Sequence, residues 1–131
     1  MKRLNAADRP VYDGILCNVP VRVFVLPKEL ADSGSGYWPR PGFAASIRLG
    51  LSGDWSEVYE TLSHEAFEMA LDFRGLSYDS PRWDDSKNTG SRLFVLDHVQ
   101  FTEIVHQASL FVMLAEPGVR KAWLKVRGRK Q

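Results

Sequence analysis

The sequence has little cysteine, no long apolar run and little net charge, and each of these absences argues against a class of protein. Its single cysteine, Cys17, excludes an internal disulfide bond and a cysteine-rich zinc site. No apolar run approaches the ~20 residues that a membrane-spanning helix requires, and no apolar stretch follows the basic residues at the N-terminus, as it would in a signal peptide. The net charge of +1 creates no global field that would attract nucleic acid. We therefore expect a cytoplasmic protein with no membrane partner.

What is present is a chain of ordinary globular composition. Its 131 residues are 44% hydrophobic and 25% charged, which predicts one domain covering residues 1–131. Strands are predicted between about residues 14 and 51. A β-rich run at 19–26 and an alternating run at 43–51 lie on either side of the segment 31–42, whose Gly, Pro and Ser content predicts a loop.

A first helix is predicted at about residues 55–74. Asp54 is a suitable N-cap for it, and Gly75 suits the position after its last turn. The long polar segment that follows, 76–92, is predicted to be a mobile loop that covers a cleft.

A second helix is predicted at about residues 97–115, where Asp97 either caps the helix or orients a ligating imidazole. The helix should stop before Pro117, leaving a basic tail at 118–131, within which residues 119–126 can add one or two final helical turns. The order of these elements predicts an α+β fold, in which a small antiparallel or mixed sheet packs against two main helices.

The first helix carries the segment HEAFE, which differs by one residue from the zinc-binding pattern HExxH. Positions i and i+4 of a helix lie one above the other, so His64 and Glu68 can share one cation. Phe67 and Leu71 lie beside His64, which indicates a cleft rather than open solvent. The alternative is an ordinary polar helix face, on which His64 is one polar residue among several.

A metal site on this helix needs a further ligand, and histidine is scarce. The chain has three histidines, and the other two lie in the second helix. The helical period places His98 at the edge of the apolar stripe, facing the first helix, whereas Glu103 and His106 point away from the stripe. We therefore predict His64, Glu68 and His98 as metal ligands. Glu103 or His106 could replace His98, which would then be a plain helix N-terminal residue.

Zinc is the metal that these residue types predict. Zn²⁺ accepts imidazole and carboxylate ligands and keeps a fourth position for water, whose pKa it lowers towards ~7. Glu65 projects from a different angle, toward the side where such a water would lie. A glutamate ligand adds negative charge, which makes harder divalent metals more competitive with Zn²⁺.

The stretch IRLGLSGDWSEVYETLSHEAFEMAL resembles the zincin metallopeptidases, particularly the small ones encoded by phages and prophages. The resemblance covers about residues 44–115 and implies a zincin-like fold, in which the strand AASIRLGL forms the edge of a cleft and binds extended substrate. It also implies that His64 is the first metal ligand, that Glu65 is the general base, and that a downstream helix supplies the third ligand. Glu68 stands where the family has its second histidine.

Three functions follow from these patterns. The first is a metal-dependent, peptidase-like hydrolase with Glu65 as its catalytic base, acting on a peptide or protein. The second is a catalytically inactive zincin-like protein that binds a protein partner, as a phage accessory or anti-defence factor would. The third is a nucleic-acid-binding module that uses the basic C-terminus and Trp123.

Overall fold

The computed structural model describes residues 9–26, 34–37, 45–51, 54–79 and 92–128, and of 34–37, Asp79 and Arg92 only the backbone. Residues of β1, β2, β4 and both helices, whose bounds follow, form one hydrophobic core, and the order of the elements shows the predicted α+β fold. They are β1 (Tyr12–Leu16), β2 (Val19–Leu26), β3 (Gly34–Tyr37), β4 (Ala45–Gly50), α1 (Trp55–Phe73), β5 (Ser77–Asp79), β6 (Arg92–Phe94) and α2 (His98–Gly128).

Four of the strands form one mixed sheet in the order β1-β2-β4-β3. β1 and β3 pair antiparallel with their neighbours, whereas β2 and β4 run parallel. Cys17 and Asn18 form the turn between β1 and β2 with positive φ angles of 50° and 65°, as a two-residue hairpin turn of this kind requires.

The order of strands leaves no unpaired side on the strand that the family resemblance implied for binding extended substrate. β4, which contains most of AASIRLGL, lies between β2 and β3 and is therefore not the edge of the sheet. The edge on that side is β3, within the segment whose composition predicted a loop. Composition was misleading because main-chain hydrogen bonds to β4 hold this short edge strand, and such bonds need no particular side chains.

Both helices pack on the sheet and on each other. α1 contacts β3 and β4, and α2 contacts β1 and β2, so the helices lie side by side. Along β2, Val21 and Val23 are buried and Arg22 between them is exposed, which is the alternation of a sheet covered on one face. Tyr12 of β1 packs edge-on against Phe111 of α2, with 5.3 Å between the ring centroids.

Two contacts fix the register of the antiparallel helices. Near the start of α1, the ring of Trp55 lies 5.7 Å from that of Trp123, near the end of α2. At the other end of α1, Nη2 of Arg74 lies 2.6 Å from Oε1 of Glu103. The middle of α1 therefore lies beside the middle of α2.

Capping residues mark the helix ends. The Asp54 carboxylate accepts a hydrogen bond of 3.0 Å from the Glu57 N–H at the start of α1. Gly75 follows the end of α1 with a φ of 69°, a left-handed conformation that glycine adopts without strain. Asp97 is the N-cap of α2, because it and Gln100 exchange reciprocal hydrogen bonds of 2.8 and 2.9 Å.

The length of α2 corrects the predicted stop before Pro117 and the predicted basic tail at 118–131. α2 continues through Pro117 to Gly128, although a proline inside a helix costs about 3 kcal/mol. The apolar stripe also continues, through the buried Val119 and Trp123, and burial of one large apolar side chain contributes about 1.5–3 kcal/mol. Burial thus offsets the cost of the proline. Despite its length, α2 is not apolar enough to cross a membrane, nor is any other helix in the described ranges.

The segment 76–92, predicted as a loop, begins and ends in strand. β5 and β6 pair antiparallel, with Ser77 opposite Phe94, and Leu76 is buried. The predicted mobile cover over a cleft falls mainly on residues 80–91, which lie outside the described residues.

Gly118 and Gly128 make a matched pair that tests the packing of α2. A Cβ at Gly118 would collide with the carbonyl oxygen of Val11, whereas a Cβ at Gly128 would meet nothing within 4 Å. We expect Gly118→Ala to lower the free energy of unfolding by about 1–3 kcal/mol because of this collision. The loss should appear although alanine stabilises a helix by ~1 kcal/mol relative to glycine. Gly128→Ala should stay within about 0.5 kcal/mol of the wild type. Urea denaturation measures both, and equal stability of the two variants would contradict this packing.

Candidate metal site on helix α1

The candidate site begins on the solvent side of α1. The buried residues of this helix are Val58, Leu62, Ala66, Met69 and Ala70. Because a helix turns through about 100° per residue, this spacing turns His64 away from the core, and its side chain is 68% exposed. Glu68, one turn later, is 30% exposed, and Glu65 is also partly buried. The three side chains therefore extend from solvent to the flank of the core.

His64 and Glu68 meet, as their spacing predicts. The His64 Nε2 atom lies 3.0 Å from Oε2 of Glu68. Two ligands of a tetrahedral zinc ion, each about 2.0–2.2 Å from the metal, lie about 3.4 Å from each other. The pair therefore needs to open by only about 0.4 Å to share a cation.

Glu65 completes a group of three metal-ligating side chains. One ligand atom from each of His64, Glu65 and Glu68 lies within 4.8 Å of the others. An imidazole with two carboxylates is a donor set that zinc accepts, and its oxygens also suit harder cations. The sequence predicts Glu65 as a base, and its carboxylate lies close enough to the pair to act either as a base or as a ligand.

The surroundings of Glu65 favour its protonated form. Burial raises the pKa of the Glu65 carboxyl, the Glu68 carboxylate raises it further, and His64 lowers it. Desolvation and a nearby like charge both penalise the ionised form of an acid. A cation held among the three side chains would favour ionised Glu65 instead, because an opposite charge stabilises a carboxylate.

Glu65 points away from α2. Arg74 lies nine residues after Glu65. At about 100° per residue, side chains nine positions apart on a helix point in directions about 180° apart. Arg74 pairs with Glu103 of α2, so Glu65 lies on the opposite flank of α1. Besides α2, α1 contacts β3 and β4.

The structure does not bring His98, the predicted third ligand, to the site. His98 is exposed in the first turn of α2, where its carbonyl accepts a hydrogen bond from Oγ1 of Thr102. The contact between Arg74 and Glu103 places His98 beyond the end of α1, about 20 Å from His64 along the helix axes at ~1.5 Å per residue. Helical periodicity gives the direction of a side chain around its helix but not the register between two helices, so it could not exclude His98.

The two alternative third ligands also lie elsewhere. Glu103 pairs with Arg74, and His106 is exposed on α2, the helix from which Glu65 points away. Among the residues that the structure describes, no further His, Cys, Asp or Glu joins His64, Glu65 and Glu68.

Sequence reasoning missed the pairing of Arg74 with Glu103. The pair lines a cavity of about 100 Å³, together with Leu76, Gln100 and Ile104. Burial raises the pKa of the nearby Cys17 thiol, while a hydrogen bond with Arg74 opposes that shift. No local pattern predicts this cluster, because its residues meet only through the packing of α1, α2 and the β1–β2 turn.

Trp123 is not available as an aromatic partner for a nucleic acid. It is 9% exposed, its ring lies 5.7 Å from that of Trp55, and the Arg127 guanidinium lies 4.8 Å from its ring centroid. Base stacking needs an accessible ring face. The structure therefore assigns Trp123 to the core, and the nucleic-acid hypothesis loses the aromatic residue on which it drew.

Comparison with known proteins adds no relative. No protein-family model matches the chain, no curated protein matches it, and no solved structure matches it. The zincin resemblance therefore rests on the residues of this chain alone.

The raised pKa of Glu65 predicts a pH dependence of stability. An acid whose pKa is higher in the folded protein binds more protons when folded, so its contribution to stability falls as the pH rises. The fall begins near the ordinary glutamate pKa of about 4.3 and is complete above the raised pKa. We expect Glu65→Gln to remove this loss, so the variant should gain stability relative to the wild type between about pH 4 and pH 7.

Urea unfolding in the presence of a chelator measures this difference at each pH. Glu60→Gln, at an exposed position of the same helix, is the matched control. A stability difference between Glu65→Gln and the wild type that stays constant with pH would contradict the assignment.

Proposed function

We propose that the protein is a metal-dependent, peptidase-like hydrolase whose site consists of His64, Glu65 and Glu68. The observation that carries the proposal is the 3.0 Å approach of His64 Nε2 to Glu68 Oε2, with a third, partly buried carboxylate in the same group. A fully solvated carboxylate lacks the burial that is the first cause of the raised pKa of Glu65. The raised pKa of Glu65 therefore supports a functional site over a plain polar surface.

The three side chains have different roles in this proposal. His64 and Glu68 hold a divalent cation, and Glu65 takes a proton from a water molecule and passes it to the leaving nitrogen of the peptide. A bound cation supplies Lewis-acid activation of the water and of the substrate carbonyl. Burial suits Glu65 to proton transfer, because a carboxyl with a raised pKa holds a proton more readily at neutral pH.

The ligand charges affect which metal the site prefers. Two carboxylates and one imidazole carry more negative charge than the two histidines and one glutamate of HExxH. Zn²⁺ is the metal we propose, and the additional negative charge makes harder divalent cations more competitive there.

An extended peptide is the substrate class that the sheet supports best. β3 is an edge strand, and no described strand pairs with its outer side. The free N–H and C=O groups of an edge strand can pair with an extended peptide. Because α1 contacts β3, a peptide bound along β3 would run near α1, the helix that carries Glu65.

The second candidate function is binding of a protein partner without catalysis. The ligand set favours it: all three side chains come from one helix, and no further ligand in the described ranges joins them. A catalytic zinc site has three protein ligands and a position for water, so a base besides them requires a fourth side chain. For both candidate functions we propose a cytoplasmic location, where the free thiol of Cys17 would stay reduced.

Metal binding tests the site directly. We expect the purified protein to bind about one equivalent of Zn²⁺. His64→Ala and Glu68→Gln should weaken binding at least tenfold, since loss of even an outer-shell partner costs about 10–100-fold in affinity. Glu65→Gln should retain the metal, because the proposed role of Glu65 is proton transfer. Isothermal titration calorimetry on metal-stripped protein measures all four.

His98→Ala is the matched control for these titrations. It removes another exposed histidine that lies far from the site, so it should bind Zn²⁺ as tightly as the wild type. Binding that survives His64→Ala, or that is lost in His98→Ala, would exclude the proposed site.

Turnover tests the role of Glu65. With metal content matched, Glu65→Gln should cleave peptides about 10²–10⁴-fold more slowly than the wild type, which is the loss expected from removing general-base catalysis. Mass spectrometry of a mixed peptide library measures the cleavage. Equal cleavage by both proteins removes Glu65 from the mechanism, and a zinc-loaded wild type that cleaves nothing favours the non-catalytic candidate.

A further inference from the structure

The solvent side of α2 carries a line of large, exposed residues, here named the outer stripe: Leu110, Met113, Leu114, Pro117 and Leu124. The leucine and methionine side chains among them are between 42% and 62% exposed. The opposite side of the same stretch is buried in the core through Ala108, Phe111, Ala115 and Val119. This half of α2 is therefore apolar on two sides, and only one of them has a partner in the described part of the chain.

The spacing of the outer stripe is that of a seam between two helices. At about 100° per residue its five members lie within an arc of about 100°. A helix that lies on a bilayer surface typically has a broader apolar face that includes aromatic residues, and the outer stripe contains none. The narrow stripe therefore favours a helix over a lipid surface as its occupant.

Basic side chains lie on both flanks of the outer stripe. The helical period places Arg120 and Arg127 on one flank and Lys125 on the other, whereas Lys121 lies within the arc of the stripe, between Pro117 and Leu124 along the helix; all four residues are exposed. Glu116 is the one acid in α2 after Glu103, and its Oε1 lies 3.9 Å from Nη1 of Arg120. The flanks therefore carry a net positive charge.

Part of this surface is concave. An open groove of about 410 Å³ is lined by Pro117, Arg120, Lys121, Leu124 and Lys125. The two flanking arginines are held by rings of the core, with Arg120 5.9 Å from the Trp55 centroid and Arg127 4.8 Å from that of Trp123. The groove thus combines an apolar floor with positioned cations at its rim.

We propose that the outer stripe of α2 and its basic flanks form a docking surface for an acidic amphipathic helix of another protein. Apolar side chains of that helix, spaced three and four residues apart, fill the line from Leu110 to Leu124. Its glutamate or aspartate side chains meet the lysines and arginines of this surface, as charges beside a helix–helix seam do.

A second copy of this chain fits the surface less well. In an antiparallel pair of α2 helices, the basic end of one would meet residues 98–106 of the other, where the acid is Glu103, already paired with Arg74. In a parallel pair, the basic flanks would face each other. Like charges across an interface oppose association, so charge complementarity favours an acidic partner.

Binding of designed peptides tests the proposal on the full-length protein. The probe is a fluorescein-labelled helical peptide with leucines at three- and four-residue spacing and glutamates on both flanks. The control peptide has lysine in place of each glutamate. We expect the acidic peptide to bind at least about tenfold more tightly than the basic one, and its affinity to fall as salt is added, because rim charges are screened. Fluorescence anisotropy measures both.

Two variants locate the binding on α2. Met113→Glu places a charge in the apolar line and should weaken the acidic peptide about tenfold or more. The double change Lys121→Glu and Lys125→Glu should weaken the acidic peptide about 3–30-fold and strengthen the lysine-flanked peptide. Ile15→Glu, at an exposed apolar position of the sheet, is the matched control and should bind like the wild type.

Each other result overturns the proposal. The docking surface would be contradicted if the protein bound both peptides with equal affinity. It would also be contradicted if Ile15→Glu weakened the acidic peptide as much as Met113→Glu does. Binding to phosphatidylserine vesicles that Met113→Glu abolishes, without peptide binding, would assign the face to a lipid surface. Dimerisation in sedimentation equilibrium that Met113→Glu abolishes would assign it to a second copy. The inference is independent of the metal site, so His64→Ala should bind the acidic peptide like the wild type.

Discussion

The antiparallel packing of α1 against α2 determines which residues of the two helices lie beside each other. Trp55 and Trp123 hold one end of the pair, and Arg74 and Glu103 hold the other. With both ends held, neither helix can slide by a turn, about 5.4 Å, without separating rings or charges. The same register turns one flank of α1 toward α2, and α1 also contacts β3 and β4 of the sheet.

That register explains why the candidate site belongs to one helix. His64, Glu65 and Glu68 lie within one turn and approach each other through local helix geometry alone. A ligand from α2 would have to reach across the helix pair to the flank that faces away from it. A site built this way is preorganised by the helix, but within the described ranges no second element adds a ligand to it, as one usually does in a zinc centre. The raised pKa of Glu65 comes first from its burial and then from the neighbouring Glu68 carboxylate, while His64 opposes it.

Local patterns predicted what local physics determines. Asp54 as a cap of α1, Gly75 after its end, and the approach of His64 to Glu68 each depend on residues no more than four positions apart. The features that failed depend on distant parts of the chain. β3 is a strand because β4 pairs with it, and α2 passes Pro117 because core burial offsets the cost of that proline. The position of His98, away from His64, also depends on a distant contact, since helical periodicity carries no information on the register between two helices.

The two helices also divide the charge of the protein between them. α1 has no lysine or arginine, and its acids are Glu57, Glu60, Glu65, Glu68 and Asp72. The second half of α2 is basic, so a chain with a net charge of +1 presents two surfaces of opposite sign. The acidic surface raises the local concentration of cations where His64 and Glu68 meet, and it repels anionic molecules from that site. An anionic partner would be attracted to α2 instead, so the proposed metal-dependent reaction and the proposed docking of an acidic helix would not compete for the same surface.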